Sequence, residues 1–488
     1  MALTFFSFLP ECLLLLLGLG TLVQGILFER KGGEELPLHR HTLLGLRIGL
    51  FALLFSYGYF VMHSSRFYGF YFQGRMVLDP FAVFGKLLII FTGIFWGGFR
   101  FRFCQEPLVR LGFTFFEYKV LFLLSLLGGC LLLSSADLLC AYLSMELQVI
   151  PLYVAIALQK ENSTSAEASF KYFVFGTLGS FLFLYGVGLL YGYGATTHLH
   201  LLMEHTETGM GSSLTTSWLQ GGLLFILVGL LLKLGVFPFH MWAPDTYEGT
   251  ASVQLPFIAL LPKIPIFFFL IRLCISFSEG IVDWSTILSW TGVTSILTGS
   301  LFALRQDNIK RLLAYGSMSH MGYVLIGIAV GTVESFAVSI AHLIAYVLSF
   351  IGFLMIMLVL KRGDREIETI SDLEGLFQGH PIFSLTLGAI IFSLVGLPPF
   401  FGFWTKFHLI MNAAHAGLYL QVGGMLIGSL LALGYYLRIL KSVFLKENGA
   451  ALLTAHPFKV HLLVALSILL SGAFLWQRAI FSFIGNLL

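Results

Sequence analysis

Five ionisable side chains lie inside long apolar stretches of this sequence, where charged groups are rare. They are Glu146, Lys171, Lys233, Lys263 and Lys406. Holding one charge in the hydrocarbon of a membrane costs several kcal/mol, so such residues usually face a partner or a water-filled cavity and mark a path for ions or protons. The repetition of this pattern predicts that these residues have a functional task and are not placed by accident.

Reversible proton transfer requires a lysine whose affinity for its proton can be changed. A lysine in water titrates near pH 10.4, burial disfavours its charged form, and a nearby carboxylate favours that form again. The separation of Glu146 from Lys233 would therefore decide whether this lysine keeps its proton. We expect the proton to pass from Lys233 through water and hydroxyl groups to Lys263 and then to Lys406.

Several of these residues allow a second interpretation. His320 and His342 are candidate relay groups in apolar segments, and a hydrogen-bonded packing role is equally open for both. Lys171 lies close to the acidic residues of segment 161–167, so a structural ion pair is as well supported as a role in the relay. Lys86 and Lys119 lie near the starts of apolar stretches and are predicted to extend to the headgroups. A loop-fixing role is predicted for the polar residues after Pro238: His240, Trp242, Asp245 and Glu248.

The composition is that of a polytopic membrane protein. Of 488 residues, 57% are hydrophobic and only 11% are charged, whereas soluble domains are typically about 25% charged. Since one transmembrane helix needs roughly 20 apolar residues, the chain has room for about fourteen spans. The net charge is only +3, which argues against a nucleic-acid partner. The five cysteines show no paired spacing, so they predict no metal or iron–sulfur site.

The basic residues are unevenly distributed among the predicted loops. When each loop is numbered by the preceding span, the odd loops hold fourteen lysines and arginines, and the even loops hold only Arg66 and Arg75. By the positive-inside rule, the odd loops face the matrix or cytoplasm and both termini face the opposite, outer side.

Two segments share an outline: VGLLLKLGVFPFHMW and FSLVGLPPFFGFWTKF. Each is an apolar helix that meets glycine and then proline, and each carries a lysine close to the break. The sequence therefore predicts an all-α polytopic protein with two inverted five-helix repeats and interrupted helices near Pro238 and Pro398. Residues 256–265 are also expected to be irregular. The predicted parts are peripheral spans 1–3 in 1–112, spans 4–8 in 113–276, spans 9–13 in 284–446 and span 14 in 459–488.

Several strings resemble one known family. AYLSMELQVIPLYV, GLLLKLGVFPFHMWAPDTYEGT, RLLAYGSMSHMGYVLIG and GLPPFFGFWTKF are similar to the antiporter-like subunits of respiratory complex I, the proton-pumping NADH:ubiquinone oxidoreductase. Within that family the similarity is greatest to the branch called 2 in mitochondria and N in bacteria, which lacks a long C-terminal lateral helix. The resemblance extends over about residues 78–445.

The resemblance implies a role for each matching residue. Glu146 and Lys233 would be the coupled pair of the first half, Lys171 a nearby modulator, Lys263 the central relay and Lys406 the terminal group of the second half. It also implies proton translocation driven by redox chemistry in other subunits, so NADH, FMN, iron–sulfur clusters and ubiquinone are expected on those subunits and no cofactor on this chain.

The expected partners are the other membrane-arm subunits, including flanking antiporter-like subunits, with membrane lipids such as cardiolipin as further candidates. The expected location is the mitochondrial inner membrane, with the bacterial plasma membrane as the alternative. Two other functions stay open at this point. The chain could be a stand-alone or multi-subunit cation/proton antiporter, or a non-transporting scaffold subunit of the same complex.

Overall fold

The computed structural model describes most of the chain and divides it into two compact units. The described residues are 8–29, 49, 68–103, 115–158, 162–207, 213–277, 281–362, 365–446, 452–453 and 457–488. The first unit comprises Met1–Leu234 and Gly249–Val282, and the second comprises Gly235–Glu248 and Asp283–Leu488. The predicted second span, centred near Leu53, and Cys104 lie outside the described residues. The division into repeats predicted from the sequence stays a prediction.

The first unit is a helical bundle with one short hairpin. Its strands, β1 (Gly69–Tyr71) and β2 (Met76–Leu78), pair antiparallel. Its helices are α1 (Leu9–Glu29), α2 (Pro80–Phe103), α3 (Phe115–Leu133), α4 (Leu138–Ala157), α5 (Ser163–Gly194), α6 (Leu199–Glu207), α7 (Ser213–Leu234), α9 (Leu255–Leu260) and α10 (Lys263–Ser276).

The second unit begins with α8 (Trp242–Gly249), whose last residue belongs to the first unit. Its other helices are α11 (Trp284–Ala303), α12 (Ile309–Ala329), α13 (Val333–Val359), α14 (Leu376–Gly379), α15 (Pro381–Val395), α16 (Phe401–His415), α17 (Tyr419–Leu445), α18 (Pro457–Gly472) and α19 (Gln477–Gly485). Two 3₁₀ turns cover Ile370–Leu373 and Ala473–Trp476. A small antiparallel sheet has the order β4 (Arg365–Glu366), β3 (Leu360–Arg362), β5 (Leu452–Leu453).

The second helix of each predicted repeat, α4 or α12, begins with the same kind of capping side chain. Asp137 caps α4 by accepting hydrogen bonds from the backbone N–H groups two and three residues later. Asn308 caps α12 with the same pair of bonds. Because the first N–H groups of a helix have no partner inside it, these side chains fix where each helix begins.

Nine helices in the described residues are long and apolar enough to cross a membrane. The shorter apolar stretches Pro80–Ile94 and Pro381–Val395 belong to further helices of the bundle. The all-α, polytopic fold predicted from the sequence is therefore confirmed. The last predicted span, centred near Leu469, is not one straight helix, because α18 and α19 meet at an angle of 80°.

Both predicted helix interruptions are present. α7 stops one residue before Gly235, whose φ is +66°, and α15 stops one residue before Gly396, whose φ is +85°. Glycine tolerates this left-handed conformation, which other residues rarely adopt. The third residue after each glycine is a proline in a cis peptide bond, Pro238 in the first and Pro399 in the second. The region from Pro256 is also irregular, since a turn separates α9 from α10.

Candidate functional site

Glu146 and Lys233 form an ion pair inside the first unit. The Lys233 Nζ atom lies 3.1 Å from Glu146 Oε1, and the two side chains are 3% and 18% exposed, respectively. α4 carries the glutamate, and the last turn of α7 carries the lysine, two residues before the helix break. The two sequence-predicted partners are therefore in direct contact, as a carboxylate-controlled lysine requires.

A third side chain completes this site. The Ser180 hydroxyl on α5 donates a hydrogen bond to Glu146 Oε1 and also reaches the Gly176 carbonyl oxygen at 3.0 Å. Ser180 therefore helps to hold the carboxylate in the position that faces Lys233. Sequence reasoning did not find Ser180, because a serine in a long apolar helix most often bonds its own backbone one turn earlier.

Lys263 is buried at the first position of α10. Lys263 is only 5% exposed and follows Pro262, the last residue of the turn between α9 and α10. Directly before this turn, the Leu261 carbonyl oxygen accepts a hydrogen bond of 3.0 Å from Gln148 Nε2. The positive end of the α10 dipole disfavours a cation at this position. The structure thus places Lys263 deep in the bundle, beside irregular backbone of the kind that lines buried polar cavities.

Lys406 is buried in the second unit and has a different environment. Its Nζ atom donates to the carbonyl oxygens of Leu394 and Val395, both at 2.9 Å, and lies 5.1 Å from the centroid of the Tyr323 ring. These carbonyls end α15, where backbone acceptors have no partner within the helix and the helix dipole is negative. The ammonium therefore closes the end of the interrupted helix.

The two candidate relay histidines are adjacent and buried. His320 Nδ1 lies 3.3 Å from His342 Nε2, and His342 Nδ1 lies 3.0 Å from Thr405 Oγ1. The Thr405 hydroxyl donates to the Gly402 carbonyl oxygen at 3.1 Å, so the network is satisfied when each imidazole carries its proton on Nδ1. Thr405 directly precedes Lys406. This series of polar groups leads toward that lysine, although no direct contact between a histidine and Lys406 is part of it.

Lys171 forms an ion pair within α5. Its Nζ atom contacts Glu167 Oε1 at 2.6 Å, and the side chains are 35% and 64% exposed. The two residues are one helical turn apart on α5, an arrangement typical of an ordinary surface ion pair. This geometry fits the structural interpretation, and the modulating role stays a prediction.

The prediction that Lys86 and Lys119 extend to the headgroups is wrong. Lys86 is fully buried, and its Nζ atom lies 2.5 Å from Glu11 Oε1 on α1. Lys119 is 1% exposed. The packing of α1, α2 and α3 encloses both side chains, because a lysine near the start of a helix reaches water only when no neighbouring helix covers it.

Two acidic residues after Pro238 connect α8 with the start of α12 in the second unit. The Arg311 Nη1 atom lies 3.1 Å from Asp245 Oδ1 and 2.7 Å from Glu248 Oε2, and Asn308 Nδ2 donates to Glu248 Oε1 at 3.2 Å. These contacts tie α8 to the start of α12, in line with the predicted loop-fixing role. Among the described residues, no group of three or more histidine, cysteine, aspartate or glutamate side chains could hold a metal ion.

The chain is similar to membrane subunits of bacterial respiratory enzymes. NADH-quinone oxidoreductase subunit N of Pelagibacter ubique is 37% identical over 389 residues, which cover 79% of this chain and 80% of that protein. The protein of the same name from Parvibaculum lavamentivorans is 34% identical over 465 residues, 95% of this chain and 92% of that protein.

Solved structures show the same fold. A chain of respiratory complex I from Thermus thermophilus with bound aureothin matches with a TM-score of 0.78 and 25% identity, over 97% of this chain and 98% of that one. A chain of the archaeal membrane-bound sulfane sulfur reductase matches with a TM-score of 0.84 and 24% identity, over 99% and 97%. The family model described as "NADH:quinone oxidoreductase/Mrp antiporter, TM" matches residues 135–432, and the chain belongs to this family.

Proposed function

We propose that this chain is a proton-translocating membrane-arm subunit of NADH:quinone oxidoreductase. Its relatives over 90% or more of its length include proteins named subunit N of that enzyme. In this role the chain is part of an enzyme and contributes the proton path, while redox chemistry in other subunits drives the protons.

The buried ion pair of Glu146 and Lys233 carries this proposal. An ion pair at 3.1 Å with the lysine almost completely enclosed gives no advantage over well-packed apolar side chains in stability alone. It does give a lysine whose charge depends on the position of one carboxylate. Movement of Glu146 away from Lys233 releases the proton, and its return lets the lysine take up the next one.

The released proton has two further buried lysines as acceptors. Lys263 opens α10 in the first unit, and Lys406 lies at the helix interruption of the second unit. We propose that protons pass from Lys233 to Lys263 and then to Lys406, with His320 and His342 as additional carriers beside Thr405. We propose that backbone groups at the interrupted helices hold the water for these steps.

The test is proton pumping by the complete assembly reconstituted into vesicles. Lys233→Ala is expected to lower the number of protons moved per NADH oxidised, because the carboxylate switch then has no lysine to control. Lys446→Ala, which removes an exposed lysine just after α17, is the matched control and is expected to pump like wild type. A wild-type ratio of protons to NADH in the Lys233→Ala assembly would contradict the proposal.

The two other functions predict different results. A cation/proton antiporter would need sodium for transport, whereas the proposed subunit pumps equally well when sodium is replaced by a non-transported cation. A scaffold subunit would tolerate Lys263→Met with an unchanged ratio of protons to NADH. The names of the relatives and the number of buried charges favour the pumping subunit over both.

The proposed partners are the other subunits of the membrane arm, including flanking antiporter-like subunits. NADH, FMN, iron–sulfur clusters and ubiquinone are assigned to other subunits. The chain resides in a membrane as a multi-pass protein. The mitochondrial inner membrane stays a prediction, and the bacterial origin of the relatives favours the alternative, the bacterial plasma membrane.

Lipid is a further proposed partner. A cavity of about 480 Å³ between α15 and α17 is lined by apolar side chains and by the two basic residues Arg438 and Lys441. This arrangement suits an acyl chain beside an anionic headgroup such as that of cardiolipin. Mass spectrometry of the intact assembly should detect less bound anionic lipid in Lys441→Glu than in wild type. Equal lipid content would contradict this assignment.

A further inference from the structure

The buried pair of Glu11 and Lys86 lies outside the part of the chain that the family model matches. It repeats the chemistry of Glu146 and Lys233, since a glutamate on one helix faces a lysine on another at 2.5 Å. The side chains are 5% and 0% exposed, and the Lys86 Nζ atom lies 5.3 Å from the centroid of the Phe8 ring. No role described so far uses these two charges, although charges buried this deeply usually have a function.

The surroundings of Glu11 make this pair a functional candidate. Both carboxylate oxygens are buried: Oε1 faces the Lys86 ammonium, and Oε2 accepts no hydrogen bond within the described residues. A structural ion pair usually satisfies its remaining lone pairs with hydrogen-bond donors, because unsatisfied buried oxygens are costly. At Glu11 the ammonium of Lys86 is the charge that compensates the carboxylate. The free oxygen positions leave acceptors for water beside the lysine.

A partly exposed ion pair lies at the start of the helix that carries Lys86. Asp79 caps the start of α2, and its carboxylate contacts Arg272 Nη1 at 2.9 Å, with side chains 29% and 17% exposed, respectively. Asp79 and Lys86 are seven residues apart, so they project from one face of the helix about two turns, or roughly 10 Å, apart. Lys86 therefore lies about two helical turns from Asp79, a partly exposed acidic residue.

Ile89 and Gln148 connect the surroundings of Lys86 with those of Lys263. A Cβ atom on Gly129 would lie 2.8 Å from Gln148 Nε2 and 3.2 Å from Ile89 Cδ1, so both side chains reach the same point on α3. Ile89 is about one helical turn beyond Lys86. Gln148 Nε2 also donates to the Leu261 carbonyl oxygen, two residues before Lys263, while Gln148 Oε1 is buried and accepts no hydrogen bond among the described residues. That oxygen is a second free acceptor for water.

We propose that Lys86, held by Glu11, is a proton-release group of the first unit and that Gln148 orders the water between it and Lys263. Lys86 gives one N–H proton to water on the Asp79 side and becomes neutral. It then takes a proton from water on the Gln148 side and becomes an ammonium again. Glu11 holds the Lys86 side chain in place throughout. By the predicted loop charges, Asp79 lies on the outer side of the membrane, so this direction is release.

This inference rests on the proposed function, and charge-conserving substitution tests it. Lys86→Arg keeps a cation opposite Glu11, but a guanidinium does not give up its proton. In vesicles with the complete assembly, Lys86→Arg is expected to lower the protons moved per NADH below the wild-type value while NADH oxidation continues. Lys119→Arg, at another buried lysine, is the matched control and is expected to pump like wild type.

A second variant keeps the test decisive if arginine disturbs the packing. Glu11→Leu with Lys86→Met removes both charges together, which preserves volume and leaves no unpaired ion. An assembled double variant with a lowered ratio supports the release group. A wild-type ratio in either assembled variant overturns it and leaves a structural ion pair. Failure of the proposed function is distinct, because Lys233→Ala would then also keep the wild-type ratio.

Discussion

The two lysines beside the interrupted helices are held in opposite ways. Lys233 comes two residues before the left-handed glycine of its break, and a carboxylate faces it. In the second unit the equivalent position, two residues before Gly396, is Leu394, whose carbonyl oxygen accepts a hydrogen bond from Lys406. One lysine lies before the break and pairs with an acid, and the other lies after the break and caps the first half of its helix.

This difference predicts that Lys233 acts as a switch and that Lys406 is the last group of the proton path. A carboxylate can move toward or away from a lysine and so change its charge, whereas backbone carbonyls at the end of a helix are fixed. Lys233 therefore has the environment of a controlled donor, and Lys406 that of a group that holds a charge in place. The histidine pair beside Thr405 supplies the second unit with neutral carriers instead of an acid.

Glu146→Gln should have the largest effect on this comparison. It removes the charge from the switch and leaves Lys233 without an acid, and breaking a buried pair in this way typically costs about 3–5 kcal/mol. Pumping should fall to the level of Lys233→Ala, measured as protons per NADH in vesicles, with assembly checked on native gels. Glu117→Gln, at an exposed residue, is the control. Pumping at the wild-type level would remove the distinction between the two lysines.

Lys406→Met should mainly lower stability. It leaves the carbonyls of Leu394 and Val395 without their charged donor, and each hydrogen bond to a charged group contributes about 1.5–3 kcal/mol. The melting temperature of the assembly should therefore drop, and pumping should fall as well. Lys406→Arg should restore much of the stability but not the pumping, because arginine can donate to both carbonyls and does not release a proton. Equal pumping by the arginine variant would contradict the role of Lys406 as a proton acceptor.

Thr405→Val tests whether the histidines belong to the second site. Valine has a similar shape but cannot bond His342 Nδ1, a loss of about 1 kcal/mol. Pumping should fall less than in Lys406→Met, because the lysine itself remains. Thr386→Val is the control, since the Thr386 hydroxyl bonds only the Phe383 carbonyl oxygen in the described residues. If both valine variants pump alike, His320 and His342 are packing residues.

Ser180→Ala should have a smaller effect, confined to the first site. Glu146 loses one hydrogen bond but keeps Lys233, so the carboxylate is slightly less well held in position. We expect slower NADH-driven pumping at an unchanged amount of assembly. Ser169→Ala on the same helix is the control, because the Ser169 hydroxyl bonds the Tyr153 carbonyl oxygen instead of a carboxylate. A larger effect in the control would show that helix packing, not the carboxylate, is responsible.

Much of this architecture could be predicted from residue types alone. Apolar length predicts the spans, and glycine followed by proline predicts both interruptions, because these features depend on local chain geometry. The environments of Lys86 and Lys406 could not be predicted, since they depend on which helices pack together and which carbonyls lose their partners. Ser180 was missed for the same reason, as its contact to Glu146 joins helices that are separate in the sequence.

Lys171→Ala should have the smallest effect and decides between the two interpretations of this lysine. An exposed ion pair one turn apart on a helix contributes about 0.3–0.5 kcal/mol, and its charge is screened by salt. As a surface pair with Glu167, Lys171 should therefore leave the ratio of protons to NADH unchanged, and Glu167→Gln should behave alike. A modulator of the switch would instead alter pumping in Lys171→Ala but not in Glu167→Gln, because only the lysine would act on the carboxylate of Glu146. That result would extend the controlled lysine of the first unit into a three-charge site and widen its difference from the carbonyl-held lysine of the second.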